Sequence, residues 1–251
     1  MSKIYILCCF VLVASKLMSQ NAVLIYQKNG TLLQIPISTI DSIIYVNQEF
    51  TTSPGMGVTQ QGIFYPSIIY GNGQEWMTEN LRGEYYANGE IIPHISDSSL
   101  WPTLNTGAWV YNSNDSTMNI PHGKLFNGYA VTDPRNVCPI NWHVPNLSEW
   151  LELINYLGGD PLAGGVMKST DNSYWITPNV GATNSSGFNA LGSGSLYGDF
   201  TFDNEFDQTI WWTSTTNGDQ IEIIALDAGF SSVGFGPNPK KSGFSIRCLK
   251  D

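Results

Sequence analysis

Cys138 and Cys248 are the residues with the sharpest chemistry in this 251-residue chain, since the other two cysteines, Cys8 and Cys9, lie in an apolar N-terminal run. In an exported chain such an even pair favours a disulfide. It would close a loop of roughly 110 residues, worth about 4–5 kcal/mol in the chain-entropy model. His94, His122 and His143 are too far apart for ligand spacing, and a zinc site needs three or four converging donors. Glu149 and Glu152 are near neighbours, but Glu149 is placed to cap a helix, and nothing singles out a catalytic carboxylate pair. Asp199, Asp203, Asn204, Glu205 and Asp207 offer hard oxygen donors of the kind calcium takes. No glycine follows where an EF-hand needs one, so a solvated acidic loop is expected. No metal site, cofactor or catalytic residue is expected. Trp101, Trp109, Tyr111 and Trp212 are the candidate ligand-binding residues, because aromatic rings on loops suit stacking on sugars or on a partner's rings. Tyr129 belongs to the same group. The opposing expectation is that such rings are simply core.

These residues must be positioned by a scaffold, and the clearest scaffold element spans about residues 146–157. Pro145 stops what precedes it, Asn146 is placed as N-cap, and Glu149 completes a capping box. Leu147, Trp150, Leu151, Ile154 and Leu157 form an apolar stripe of helical period, and Gly158 supplies the terminating position. A short second helix or turn is expected between Pro161 and Thr170. Most of the rest reads as short strands and turns. Residues 62–77 hold a bulged strand or strand pair over 63–70, a turn at Gly71-Asn72-Gly73, and a return at Gln74–Met77. Core strands are expected at Thr209–Ser214, Gln220–Leu226 and Gly243–Leu249. On the first of these, Trp211 and Trp212 point to opposite faces, so one must be core. The stretch from Thr78 to about residue 130 lacks periodicity and is expected to be an elaborate loop or a functional surface.

The N-terminus reads differently. Lys3, the apolar Ile4–Ala14 run and Ser15–Gln20 make residues 1–20 a secretory signal peptide, and the run is too short to span a bilayer. Residues 21–50 form a small β segment, with Val23–Tyr26, a turn at Lys28-Asn29-Gly30-Thr31, Leu32–Ile37 and a third strand at Ile43–Val46. This segment resembles one common in exported proteins of Bacteroidetes. Residues 51–61 read as a linker, and residues 62–251 as the main domain. The net charge of -10 argues against nucleic acid or an anionic membrane surface as partner. No later apolar stretch is long enough to be a transmembrane segment.

Six motifs occur in order: Gly73-Gln74-Glu75-Trp76-Met77-Thr78-Glu79-Asn80-Leu81; His122-Gly123-Lys124-Leu125-Phe126-Asn127; Cys138-Pro139-Ile140-Asn141-Trp142-His143-Val144-Pro145 with Glu149-Trp150; Ala182–Phe188; Trp211-Trp212-Thr213-Ser214; and Gly243-Phe244-Ser245-Ile246-Arg247-Cys248. The series resembles the Fibrobacter succinogenes major paralogous domain over about residues 62–250. Within it, Trp142–Trp150 is similar to the helix start of the sulfatase-modifying (formylglycine-generating) family, and Gly243–Arg247 to that family's closing strand. This second resemblance implies an α+β, C-type-lectin-like fold: loop-rich, short-stranded antiparallel β structure with one main helix. It also raises copper held by a thiol pair, although no cysteine-rich segment matches that family's catalytic pattern.

The expected function is an exported, non-catalytic recognition or adhesion module. Its loops would bind a polysaccharide or a cell-surface protein, in the periplasm, on the outer surface or outside the cell. The alternatives are an enzyme related to the sulfatase-modifying family and a structural component of a surface assembly.

Overall fold

A computed structural model describes the strand residues 4–7, 22–26, 32–36 and 43–46, and residues 50–251 throughout. The chain divides into two units, Met1–Glu49 and Phe50–Asp251. In the first, Ala22–Tyr26 pairs antiparallel with Leu32–Pro36, the hairpin that the sequence pattern implies. The turn between them lies outside the described residues. The third strand, Ile43–Val46, pairs instead with Ile4–Leu7 in parallel. The cleavage region expected at 15–20 also lies outside the described residues.

The second unit begins at Phe50. Residues 51–61, read from composition as a linker, carry two strands. Thr52–Pro54 pairs with Ser67–Tyr70, and Val58–Gln60 pairs with Ile63–Tyr65. Backbone pairing overrides a composition rich in Thr, Ser and Gly, because a partner strand satisfies every second peptide group whatever the side chains. Pro66 cannot donate to a ladder, and it separates the two strands over 63–70.

Two sheets form the body. The larger one runs, in spatial order, Trp109–Tyr111, Lys124–Asn127, Gly243–Phe244, Ser193–Leu196, Gln208–Asn217, Gln220–Asp227 and Gly234–Pro239, with Phe202–Glu205 added beside Ser193–Leu196. The smaller one runs Trp142–His143, Leu249–Lys250, Glu75–Met77, Ser67–Tyr70 and Thr52–Pro54. The expected single strand Gly243–Leu249 is therefore broken. Its first two residues belong to one sheet and its end to the other, and Ser245–Cys248 crosses between them.

The capped helix is Leu147–Tyr156, with Asn146 and Glu149 forming the full capping box and Leu157 at the C-cap. Its buried face is Trp150, Leu153, Ile154 and Leu157, while Leu151 is exposed. The expected stripe had Leu151 in place of Leu153. Leu151 lies four after Leu147 and three before Ile154, Leu153 three after Trp150 and four before Leu157, so both fit a helical stripe, and only the packing against the sheet selects which side is covered. A second helix, Asp160–Met167, follows. Overall the unit is α+β, mostly strands with a few short helices.

The hydrophobic core has two main clusters. One gathers Trp212, Phe244, Phe126, Trp109, Cys138 and Cys248. The other gathers Trp211, Trp150, Trp76, Phe188 and the inner face of the helix. Trp211 and Trp212 do point to opposite sides of their strand, and each side is core. Trp150 lies 5.6 Å from Trp211 and 4.5 Å from Trp76 between ring centroids. Such pairs add about 0.5–1.5 kcal/mol each beyond the area they bury. Cys138 and Cys248 are joined, with Cα atoms 6.0 Å apart, and both are buried. The bridge fixes the approach to the capped helix against the crossing segment Ser245–Cys248.

Candidate recognition cleft

The aromatic residues singled out in the sequence do not form an open platform. Trp101, Trp109 and Trp212 are all buried. Each indole N–H donates to a backbone carbonyl, that of Lys241 (2.8 Å), Ile92 (2.9 Å) and Phe126 (2.7 Å) respectively. Trp101 belongs to a small separate cluster with Val110, Leu125 and Leu196. Trp109 is covered by the His94 ring, stacked 4.1 Å away, and by the Lys124 ammonium, 3.9 Å from the ring centroid. Burial and the Lys124 charge together hold His94 below its usual pKa. Of the four candidates only Tyr111 is half-buried rather than buried, with its ring edge against Trp109 at 5.0 Å. The expectation of loop tryptophans facing a ligand is thus corrected. Their N–H groups find backbone acceptors only when the rings turn inward, and the unit has enough apolar contact to hold them there.

The acidic residues 199–205 make hydrogen bonds at the surface. Asp199 accepts from the Thr201 N–H, Asp203 from the Asn204 N–H, and Glu205 from the Ser113 hydroxyl. Among the described residues no three His, Cys, Asp or Glu side chains converge as a metal ion would require. His143 is held between Asp251 (2.6 Å) and Glu149 (3.1 Å) beside the helix cap. His122 is buried between Tyr174 and Phe206.

A different group of residues converges. The segment after Glu75–Met77 runs beside the crossing segment: the Met77 N–H donates to the Cys248 carbonyl (3.1 Å) and the Leu81 N–H to that of Ile246 (2.8 Å). This places Asn80 at the centre of a buried polar network. Its Oδ1 accepts from Arg247 Nη2 (2.8 Å) and Nε (3.1 Å) and from Trp211 Nε1 (2.8 Å). Its Nδ2 donates to the His122 carbonyl (2.9 Å), Ser193 Oγ (3.0 Å) and Ser245 Oγ (3.3 Å). Gly123 makes the approach possible: at φ +82° a Cβ would lie 2.8 Å from that of Asn80 and 2.9 Å from the Leu81 carbonyl oxygen. Only glycine takes this backbone conformation without strain.

Arg247 is fully buried, 1% exposed. Its guanidinium lies over the Phe188 ring (4.2 Å) and near Trp211 (5.5 Å), and Nη1 donates to the Phe188 carbonyl. All these partners are neutral. Among the described residues no carboxylate pairs with Arg247. Burial pushes its pKa down to about 9, with weak opposing help from Tyr70 and Glu79, so it keeps its charge at neutral pH. A buried charge without a counter-ion is costly and is ordinarily paired.

Arg247 forms part of the wall of a cleft of about 80 Å³, with Thr78, Glu79, Arg82, Ile120, Pro121, Asn189 and Leu191 around it. Glu79 and Arg82 form an ion pair across one side, and Arg82 Nη2 also holds the Phe64 carbonyl at 3.1 Å. Ile120 stands exposed at the rim. Glu79 is therefore already matched by Arg82, and the unmatched charge of the cleft is that of Arg247. Two of the motifs, Gly73–Leu81 through Thr78 and Glu79, and Gly243–Cys248 through Arg247, supply polar wall, and Arg82 follows directly after the first. Their meeting across more than 160 residues of chain was not readable from either one.

The fold and the cleft together define a disulfide-tied α+β domain with a small, positively charged recess. A family model described as the Fibrobacter succinogenes major domain matches residues 69–250, and the chain belongs to that family. No curated protein and no solved structure matches it.

Proposed function

We propose that this protein is an exported, non-catalytic recognition module, built on a C-type-lectin-like scaffold, that binds a cell-surface protein through its loops. The observation that carries the reading is the cleft, where a buried, uncompensated guanidinium meets an aliphatic wall at the surface. A few convergent polar groups in an apolar recess are the usual features of a ligand site. A protein partner is favoured over a polysaccharide because all eight tryptophans are buried, which leaves no indole face for sugar stacking. The enzyme reading requires free thiols, whereas Cys138 and Cys248 are bonded to each other. The export reading rests on the N-terminal sequence and places the module in the periplasm, on the outer surface or outside the cell.

The test sets purified protein against two panels: displayed extracellular protein domains, and soluble and insoluble glycans. Saturable binding to a displayed domain, competed by unlabelled protein, is the expected result. Saturable binding to glycans alone would replace the protein partner with a polysaccharide. Binding to neither panel overturns the recognition reading.

A further inference from the structure

From the chemistry of the cleft walls we infer that the site takes the C-terminal carboxylate of a peptide together with an aliphatic last side chain. This rests on the recognition reading above and names the chemistry of its partner.

The argument begins with charge. Arg247 is buried with only neutral partners, Asn80 and the Phe188 carbonyl, and it lines the cleft. The guanidinium carries five N–H donors in a fork that suits a carboxylate. Its three hydrogen bonds to the Asn80 amide oxygen and the Phe188 carbonyl leave two N–H donors over. An arriving carboxylate supplies the counter-ion that Arg247 does not find among the described residues.

Charge also limits what the anion can be. Glu79 stands in the same wall, paired with Arg82, so the cleft offers one net positive charge. A phosphate or sulfate group would meet the Glu79 carboxylate at close quarters. The protein as a whole carries a formal charge of -10, which repels a polyanionic chain. A single carboxylate on an otherwise neutral ligand satisfies both conditions.

The remaining walls choose between a sugar acid and a peptide end. Ile120, Pro121 and Leu191 are aliphatic, and no aromatic ring lines the cleft. Aliphatic walls suit a Val, Leu or Ile side chain. Thr78 and Asn189 supply neutral hydrogen-bonding groups for the last peptide unit. The volume of about 80 Å³ holds roughly five to eight waters at ~10–15 Å³ each, enough for a carboxylate and one side chain but not for a length of polymer. Capture of a chain end by a carboxylate-binding recess is a recurring mode of peptide recognition.

The experiment applies the purified protein to an array of synthetic heptapeptides with free C-termini, mirrored by the same peptides as C-terminal amides. Peptides ending in Val, Leu or Ile are expected to bind, with at least a tenfold loss on amidation. Arg82→Gln leaves Glu79 unmatched beside the ligand and is expected to weaken binding at least tenfold. Glu79→Gln removes the competing carboxylate and is expected to strengthen it. Both changes are at partly exposed positions, so the fold is retained, whereas Arg247→Ala is checked for folding by circular dichroism before its binding is read. Equal binding of acid and amide overturns the proposal, as does binding of isovalerate alone as tightly as the peptides, which would make the ligand a small free acid. If a displayed protein domain binds but is indifferent to both Arg82→Gln and Glu79→Gln, the cleft assignment fails while the recognition reading stands.

Discussion

Replacing Asn80 by alanine tests whether the polar network behind the cleft holds the two sheets together. The side chain is buried and makes six hydrogen bonds, three through each polar atom. Its loss takes from Arg247 the acceptor shared by Nε and Nη2. A hydrogen bond to a charged group contributes about 1.5–3 kcal/mol. It also leaves the Trp211 indole N–H buried without its acceptor, at about 1–3 kcal/mol. The His122 carbonyl keeps Ser193 Oγ, so little is added there. The expected cost is about 3–6 kcal/mol, a large part of the 5–15 kcal/mol typical of a whole domain. The assay is urea unfolding at pH 7 followed by tryptophan emission, reading a fall in the midpoint at unchanged slope. Asn80→Asp keeps an acceptor for Arg247 and Trp211 but gives up the donor to His122, and its loss should be smaller. Asn88→Ala, at an exposed turn, is the control. A cost for Asn80→Ala below about 1 kcal/mol, or equal to that of Asn88→Ala, would refute the view that this network is structural.

Removing the disulfide by Cys138→Ala with Cys248→Ala frees a loop with a sequence separation of 110. The expected loss is about 4–5 kcal/mol in non-reducing urea titrations, and a loss under 1 kcal/mol would show that the reduced chain is already constrained. With all eight tryptophans buried, native emission should be blue-shifted and weakly quenched by acrylamide until unfolding. Strong quenching of the native protein would place at least one indole at the surface. The Arg135 side chain beside Asp133 holds that carboxyl down, from 3.8 to about 2. Because the folded-state pKa is depressed, the stabilisation is complete above about pH 4 and lost as the pH falls towards 2. The stability gap between the native chain and Asp133→Asn should be full at pH 5 and closed near pH 2. A gap that is unchanged across that range would contradict the pairing.

Local sequence was sufficient wherever a structural decision was local. The capping box of Asn146 and Glu149 appeared as read, because both partners lie within one helical turn. The strand pattern around Gly71-Asn72-Gly73 likewise needed only a turn and its flanks. The cysteine pair was legible from the even count left after the apolar N-terminal run. What failed were judgements that depend on what another part of the chain lays over an element. Leu151 and Leu153 are equivalent by periodicity, and the sheet beneath the helix chose Leu153. The segment over 51–61 has linker composition and is nevertheless paired. Strand Gly234–Pro239, rich in Gly and Pro, was not readable as a strand at all. It pairs along its length with Gln220–Asp227 at the sheet edge, where the missing proline donors cost least.

The candidate site divides in the same way. The sequence by itself determined the family, the cysteine pair, the acidic balance and the two motifs that carry Glu79 and Arg247. It could not determine that aromatic residues on apparent loops would be core, since a ring's exposure depends on what covers it. Nor could it show that Arg247 would be buried without an ion-pair partner among the described residues, because the 21 acidic residues of the chain are available to it until the fold excludes them. The tertiary structure decided that point by carrying Ser245–Cys248 from one sheet to the other past Asn80. An uncompensated charge is a property of distances in space, and those distances exist only once the two sheets have closed around the crossing segment.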